Sequence, residues 1–163
     1  MTEIIIRRAR REDCKAIMML IQELADYEKM PDGPKIDYKT LERDGFDEHP
    51  LFFCNVATSS ERVIGYTIFY YVYSTWRGKV MYLEDIYVTS EFRGKHVGIK
   101  LLKAVAKEAV ENNCSKLDFL VLNWNPAQEF YKIHGATDMT AKEQWHYYNI
   151  SDANLKRLAS DSE

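Results

Sequence analysis

Cysteine is scarce in this sequence, and what there is does not pair. Cys14, Cys54 and Cys114 are an odd number at wide spacings, with no CxxC and no histidine pair beside them. That argues against a disulfide framework and a zinc site, and leaves buried free thiols. Long apolar runs are missing too, since none reaches the roughly 18 residues a membrane-spanning helix requires. The opening MTEIIIRRARRED has only three consecutive apolar residues, followed rather than preceded by basic ones. This is the reverse of a secretory leader, so the expected location is cytoplasmic, with no membrane partner. A large excess of one charge is also absent. The net charge of -3 offers no basic face to phosphates, which argues against nucleic-acid binding and suits a cationic ligand slightly better. No internal repeat, low-complexity tract or linker breaks the chain.

What remains is a composition of 46% hydrophobic and 29% charged residues, rich in aromatics, over 163 residues. One soluble globular domain, residues 1–163, is expected, long enough to bury roughly 70% of its unfolded surface. The strand signal at residues 3–7 is followed from Asp13, a candidate N-cap, by Ile17, Leu20, Ile21, Leu24 and Ala25 at helical spacing, predicting a helix to about Glu28. PDGPK breaks it, and a short helix is expected over residues 38–43. Three β-rich runs follow, 52–57, 63–73 and 79–88, separated by SSER and STWRG, which are hairpin-length connections. A helix with Leu102, Val105, Ala106 and Ala109 on one face then runs to Asn112 and Asn113. Next come a strand over 116–122, a helix between Pro126 and Gly135, a last strand over 145–150 and a helix headed by Ser151. The terminal SDSE is polar enough to fray. The order predicts an antiparallel meander followed by a crossover unit lying parallel in the same sheet, an α/β (α+β) fold.

Chemistry concentrates in DIYVTSEFRGKHVGIKLL, where a strand passes through a short loop directly into a helix. A helix start fed by a glycine-containing loop presents free backbone N–H groups and partial positive charge, the arrangement that holds a phosphate, although such a junction is also compatible with a plain turn. Arg93 and Lys95 add formal charge. In YLEDIYV, the two-residue period of a strand puts Glu84 and Asp85 on opposite faces. A carboxylate among such large apolar neighbours is either a paired structural charge or a base with a raised pKa. In NWNPAQEFYKIHGA, Asn125 and Tyr131 fall in a turn and in the first turns of a helix, where a tyrosine is packing unless the adjacent loop holds a ligand.

EFRGKHVGIKLL after YLEDIYV, followed by NWN and FYKIHGA, resembles the acetyl-coenzyme A core of the GNAT acyltransferase superfamily. Within it the chain resembles the spermidine/spermine and thialysine acetyltransferase group. The likeness extends to RRARREDCKAIMMLIQELADYEKM, DGFDEHPLFFCNVA, YSTWRGK and EQWHYYNI, nearly the whole chain. The resemblance implies a mixed, mostly antiparallel sheet of six to seven strands with helices on both faces, its fourth and fifth strands splayed apart. The cofactor's pantetheine arm would pair with Ile86, Tyr87 and Val88, and its pyrophosphate would sit on the loop of Arg93, Gly94, Lys95, His96, Val97, Gly98 and Ile99. Asn125 and Tyr131 would also touch the cofactor.

The family implies roles as well. A substrate amine with a pKa near ~10.4 is mostly protonated at neutral pH and must lose a proton before it can attack a thioester. Glu84 would relay that proton, a backbone N–H near residues 86–88 would meet the oxyanion, and Tyr131 would protonate the departing thiolate. Tyr27, Glu28, Trp76 and Asp85 would bind the amine with Glu84, and Asp118, Phe119 and Leu120 would border the site on the fifth strand. Acetyl-CoA is the implied cosubstrate, no metal is expected, and a homodimer is implied, with WHYYNI as an interface element.

Several positions depart from the pattern. The family's cradle reads RxxGxG, and here RGKHVG carries His96 at the middle glycine. The spacing from Asn125 to Tyr131 is one residue short, and the basic pair that often follows the tyrosine is Ile133 and His134. Ser74 stands where polyamine-preferring members commonly carry an aspartate, which favours a lysine-like zwitterion over a long polycation. Two other readings stay open: a non-catalytic acyl-CoA-binding module, and a peptide or protein acetyltransferase.

Overall fold

The computed structural model describes residues 3–160. The expected fraying of SDSE therefore falls, for residues 161–163, outside the described residues. Two compact units make up the chain, one ending at Leu122 and the other beginning at Asn123.

In the first unit, β1 (Ile4–Arg8) reaches α1 (Cys14–Tyr27) through a short 3-10 turn at Arg11–Asp13. Asp13 does precede α1, as expected, but its side chain makes no cap bond to that helix. Its carboxylate accepts two bonds from the Arg7 guanidinium, at 2.7 and 2.9 Å, and one from the Arg10 N–H, at 2.7 Å. Held by Arg7, the carboxyl stays below its usual range, and the corner between β1 and α1 is tied down. The next helix, α2 (Tyr38–Phe46), is capped by Asp37, whose carboxylate accepts from Thr40 N at 2.9 Å.

One mixed sheet organises this unit in the order β1-β2-β3-β4-β5, with β2 (Phe53–Ser59), β3 (Arg62–Ser74), β4 (Gly78–Val88) and β5 (Leu117–Asp118). The first four strands are antiparallel neighbours, and β5 runs parallel to β4, as the crossover reading requires. Helix α3 (Val97–Glu111) supplies the crossover. Helices cover both faces. Cys14, Ile17 and Leu20 of α1 and Leu41 of α2 pack with Val56, Tyr66 and Ile68, whereas Val97 and Leu101 of α3 pack with Ala57, Ile64 and Val88. Among the described residues no helix is long and apolar enough to cross a membrane.

Among the described residues five strands form, not the six to seven expected. The run over 116–122 contributes only Leu117–Asp118, because the chain leaves the ladder after Tyr82 pairs with Asp118. The run over 145–150 forms no strand. Extended backbone needs a neighbour for its N–H and C=O groups, and aromatic β propensity does not supply one. Trp145, Tyr147, Tyr148 and Ile150 are all exposed.

The second unit holds α4 (Ala127–Ile133), α5 (Met139–Glu143) and α6 (Asp152–Ala159). The first lies between Pro126 and Gly135, and the last follows Ser151, as the sequence indicates. The middle helix was not anticipated. Its signals are short-range ones, Asp138 accepting from Ala141 N at 3.0 Å and Gln144 ending the helix in the left-handed region.

Gly65 sets how closely β3 and β4 approach beneath α3. A Cβ there would lie 2.8 Å from the Tyr87 carbonyl oxygen and 3.3 Å from side-chain carbons of Leu101 and Val88. Gly65→Ala should therefore destabilise the protein by about 1–3 kcal/mol, read as a lower urea midpoint. An unchanged midpoint would show that this contact is not tight.

Candidate active site

The central feature is a fault in the ladder between β3 and β4. Ile68 pairs with Asp85 and Phe69 with Leu83, so Glu84 is an extra residue with no partner of its own. Such a bulge interrupts the two-residue alternation and re-aims side chains. The expectation that Glu84 and Asp85 occupy opposite faces is corrected here. Tyr70 donates to Glu84 Oε2 at 2.6 Å, and Tyr66 donates to Asp85 Oδ2 at 2.8 Å. Those two tyrosines lie four residues apart on one strand and share a face, so both carboxylates point to it as well.

The face they share is the one α1 covers. Burial pushes the Asp85 carboxyl up to about 6, the charges of Glu84 and Glu28 push in the same direction, and the Tyr66 hydroxyl opposes them. Glu28, the residue that ends α1, is also raised by burial. Glu84 on β4 and Glu28 at the end of α1 thus both act on Asp85 at the edge of the core.

On its other edge, β4 is open toward its C-terminal end. Pairing with β5 stops at Tyr82, and β4 continues to Val88. Thr89 N donates to Ile64 O at 2.9 Å, which fixes the phase of the ladder with β3. The N–H groups of Tyr87 and Asp85 therefore face β3, and those of Ile86 and Val88 face away from it. A linear chain with amide groups of its own could pair along this edge.

Just beyond lies the loop at residues 93–96. Gly94 and His96 are both left-handed, with φ 74° and φ 60°. The middle-glycine position therefore does demand positive φ, and His96 meets it at a cost of roughly 1–2 kcal/mol. Lys100 N makes an intrahelical bond to His96 O, at 3.2 Å, and the N–H groups of Val97, Gly98 and Ile99 precede it without intrahelical acceptors. A Cβ placed on Gly94 or Gly98 would meet nothing within 4 Å, so space beside the backbone is open. Unpaired amides, positive helix end and open space together suit a diphosphate.

Arg93 was expected to lend its charge to that cradle. Its side chain instead reaches back, donating to Val88 O at 3.1 Å and to the Tyr87 hydroxyl at 3.0 Å. Tyr87 in turn donates to Glu23 on α1 at 3.2 Å, and the guanidinium lies 5.0 Å from the Tyr27 ring centre. Lys95 Nζ sits 4.6 Å over the Phe92 ring.

The remaining expected residues are scattered. Trp76 is 83% exposed at the tip of the β3–β4 hairpin. Six residues of strand, about 20 Å, separate Gly78 from Glu84, so the tryptophan is not brought to the acids of its own chain. Ser74 accepts the N–H groups of Trp76 and Arg77 and shapes that turn. Asp118 pairs with Lys116 at 2.8 Å; Phe119 is half-buried and Leu120 exposed. In the second unit, Asn125 Oδ1 accepts from Ala127 N at 2.9 Å and starts α4, and Tyr131 lies in that helix with its ring 5.2 Å from Phe130. Sequence reasoning missed Tyr66, Tyr70 and Glu23. The signal for the two tyrosines was the aromatic run GYTIFYYVY, which has no evident partners until the register of β3 on β4 is known. Among the described residues no group of three His, Cys, Asp or Glu side chains could hold a metal ion.

Known proteins resemble this chain over most of its length. The profile of the acetyltransferase (GNAT) family matches residues 17–136. A thialysine N-epsilon-acetyltransferase of Sus scrofa is 41% identical over 168 residues, covering 98% of this chain and 99% of that protein. A spermidine/spermine N(1)-acetyltransferase-like protein 1 of Homo sapiens is 37% identical over 162 residues, 94% of this chain and 23% of that protein. Among solved structures, an integron cassette protein from the mobile metagenome of V. cholerae superposes with a TM-score of 0.78 at 27% identity, covering 97% of this chain and 98% of that one. With a profile match over most of its length and a relative similar from end to end, this chain belongs to the acetyltransferase (GNAT) family.

Proposed function

We propose that the protein transfers an acetyl group from acetyl-CoA to the primary amine of a small cationic substrate, a lysine-like amino acid such as thialysine ahead of spermidine or spermine. The observation that carries this reading is the bulge at Glu84, which gathers acids on one face of β4 while the strand's other edge stays open. A face of β4 carrying Glu84 and Asp85, with Glu28 acting on Asp85, attracts a cation. The thialysine-named relative favours the same order of substrates.

Acetyl-CoA supplies the activated acyl carbon. For holding it we assign the backbone of Gly94, Lys95, His96, Val97, Gly98 and Ile99 at the head of α3, the edge of β4 at Ile86, Tyr87 and Val88, and Asn125. Glu84, exposed and hydrogen-bonded to Tyr70, takes the amine's proton directly or through water. An outward N–H of Ile86 or Val88 meets the oxyanion. Tyr131 gives its proton to the leaving thiolate. Asp85, Glu28 and Tyr27 hold the cationic end of the substrate; Asp118, Phe119 and Leu120 border the site beside β4.

The whole chain works in this reading as one domain, in the cytoplasm and as a homodimer. The exposed Trp145, Tyr147, Tyr148 and Ile150 are an apolar surface that a second copy would cover. A non-catalytic acyl-CoA-binding module is the second reading, and the strained His96 in the cradle favours it.

Thiol release from acetyl-CoA, measured on thialysine, lysine, spermidine and a basic peptide, tests the assignment. Turnover on thialysine above the other three is expected, and CoA binding with no thiol release on any of them would leave the binding module. Tyr131→Phe should lower kcat by about 10²-fold while acetyl-CoA Kd changes by less than about twofold. Glu84→Gln should lower kcat and move the pH–rate profile, and unchanged kcat in both variants would remove the mechanism.

Stability reports on Asp85 separately. Its folded-state pKa is raised to about 6 from 3.8, so the native state favours the protonated acid. The stability this contributes is present below the unfolded pKa and is lost as pH rises through about 6. Asp85→Asn should therefore melt higher than the parent at about pH 8 and close to it at about pH 4. A lower melting temperature at both pH values would mean that the carboxylate is structurally required.

A further inference from the structure

Tyr66 is fully buried at 0% exposure, packed among Ile17, Leu20, Val56 and Ile68. Deep in an apolar cluster a phenol must find an acceptor, because an unpaired buried hydroxyl is strongly disfavoured. The acceptor is Asp85 Oδ2 at 2.8 Å, and among the described residues this is the one hydrogen bond the Asp85 side chain receives. The groups that act on Asp85 are Tyr66 from β3, Glu84 beside it on β4 and Glu28 from α1. Two of the three are anionic. Without the tyrosine donor, a buried carboxylate would face only like charge.

We infer that Tyr66 is a positioning residue for amine transfer: its hydroxyl holds Asp85 at the pocket in the charged form, so that a cationic substrate meets a fixed anion. Tyr66 touches no reacting atom and acts through Asp85. Tyr70 stands in the same relation to Glu84, at 2.6 Å, but Glu84 is exposed and water can replace that donor. Only the buried pair depends on its tyrosine. The inference rests on the amine-transfer reading above and adds the group that sets the charge of its substrate-binding acid.

Tyr66→Phe removes one oxygen and leaves the ring in place. A hydrogen bond to a charged group is lost, so the acid limb of the amine kcat/KM profile should move up by about one pH unit, a tenfold change in proton affinity. Acetyl-CoA Kd should stay within about twofold, and kcat at high pH should recover. A carboxyl-carbon NMR titration of Asp85 should show the same upward shift without any substrate. In an Asp85→Asn background, Tyr66→Phe should change amine kcat/KM by less than about twofold, since its effect runs through the carboxylate. A tyrosine that merely fills space would lower the melting temperature and leave both titrations where they were; that result, or a full independent effect in the Asp85→Asn background, overturns the inference. Failure of the parent to release thiol with any amine would count against the proposed function, whereas the NMR arm reads the hold of Tyr66 on Asp85 without it.

Discussion

One additional residue in β4 decides which acids share a face of the sheet. By opposing Ile68 with both Glu84 and Asp85, the strand places two adjacent acids on a face where regular alternation allows one. Like charges so close repel, and burial disfavours ionisation of Asp85. The arrangement persists because β3 carries a tyrosine donor for each, Tyr70 for Glu84 and Tyr66 for Asp85. The raised Asp85 carboxyl is the residue of that conflict, a local instability retained where a cation can relieve it.

The same strand organises the other half of the site. Beyond Tyr82 it has left β5 and turns the N–H groups of Ile86 and Val88 outward, then passes through Gly94 and His96 into α3. In the proposed reading, acyl donor and amine take the two sides of a single strand: an open hydrogen-bonding edge for one, an acid-bearing face for the other. Arg93 joins them. It sits in the cradle loop, yet its guanidinium contacts Val88 O, the Tyr87 hydroxyl and the ring of Tyr27 at the end of α1.

Local pattern was enough for a good part of the structure. Apolar spacing in residues 17–25 marked α1, turn residues marked the hairpins, and the Gly94-to-Gly98 loop marked the head of α3. Each of these is a signal carried within a few residues of the element it specifies. The errors share a different cause. Residues 145–150 and 119–122 have the composition of strands, but a strand exists only when another strand offers its backbone, and no propensity encodes that. The shortening of one expected strand to Leu117–Asp118 and the loss of the last follow from this.

The sequence by itself determined the family, the meander with its parallel crossover, the phosphate-suited loop and the acids Glu28, Glu84 and Asp85 as the groups to watch. Tertiary structure alone decided that Glu84 and Asp85 share a face, that Tyr66 rather than a neighbouring tyrosine controls Asp85, that Arg93 turns away from the cradle, and that Trp76 stands far along the hairpin. The physical reason is that each of these depends on register. A bulge shifts one strand by one residue against its neighbour, and which side chain meets which is then a property of the pair of strands, not of either alone.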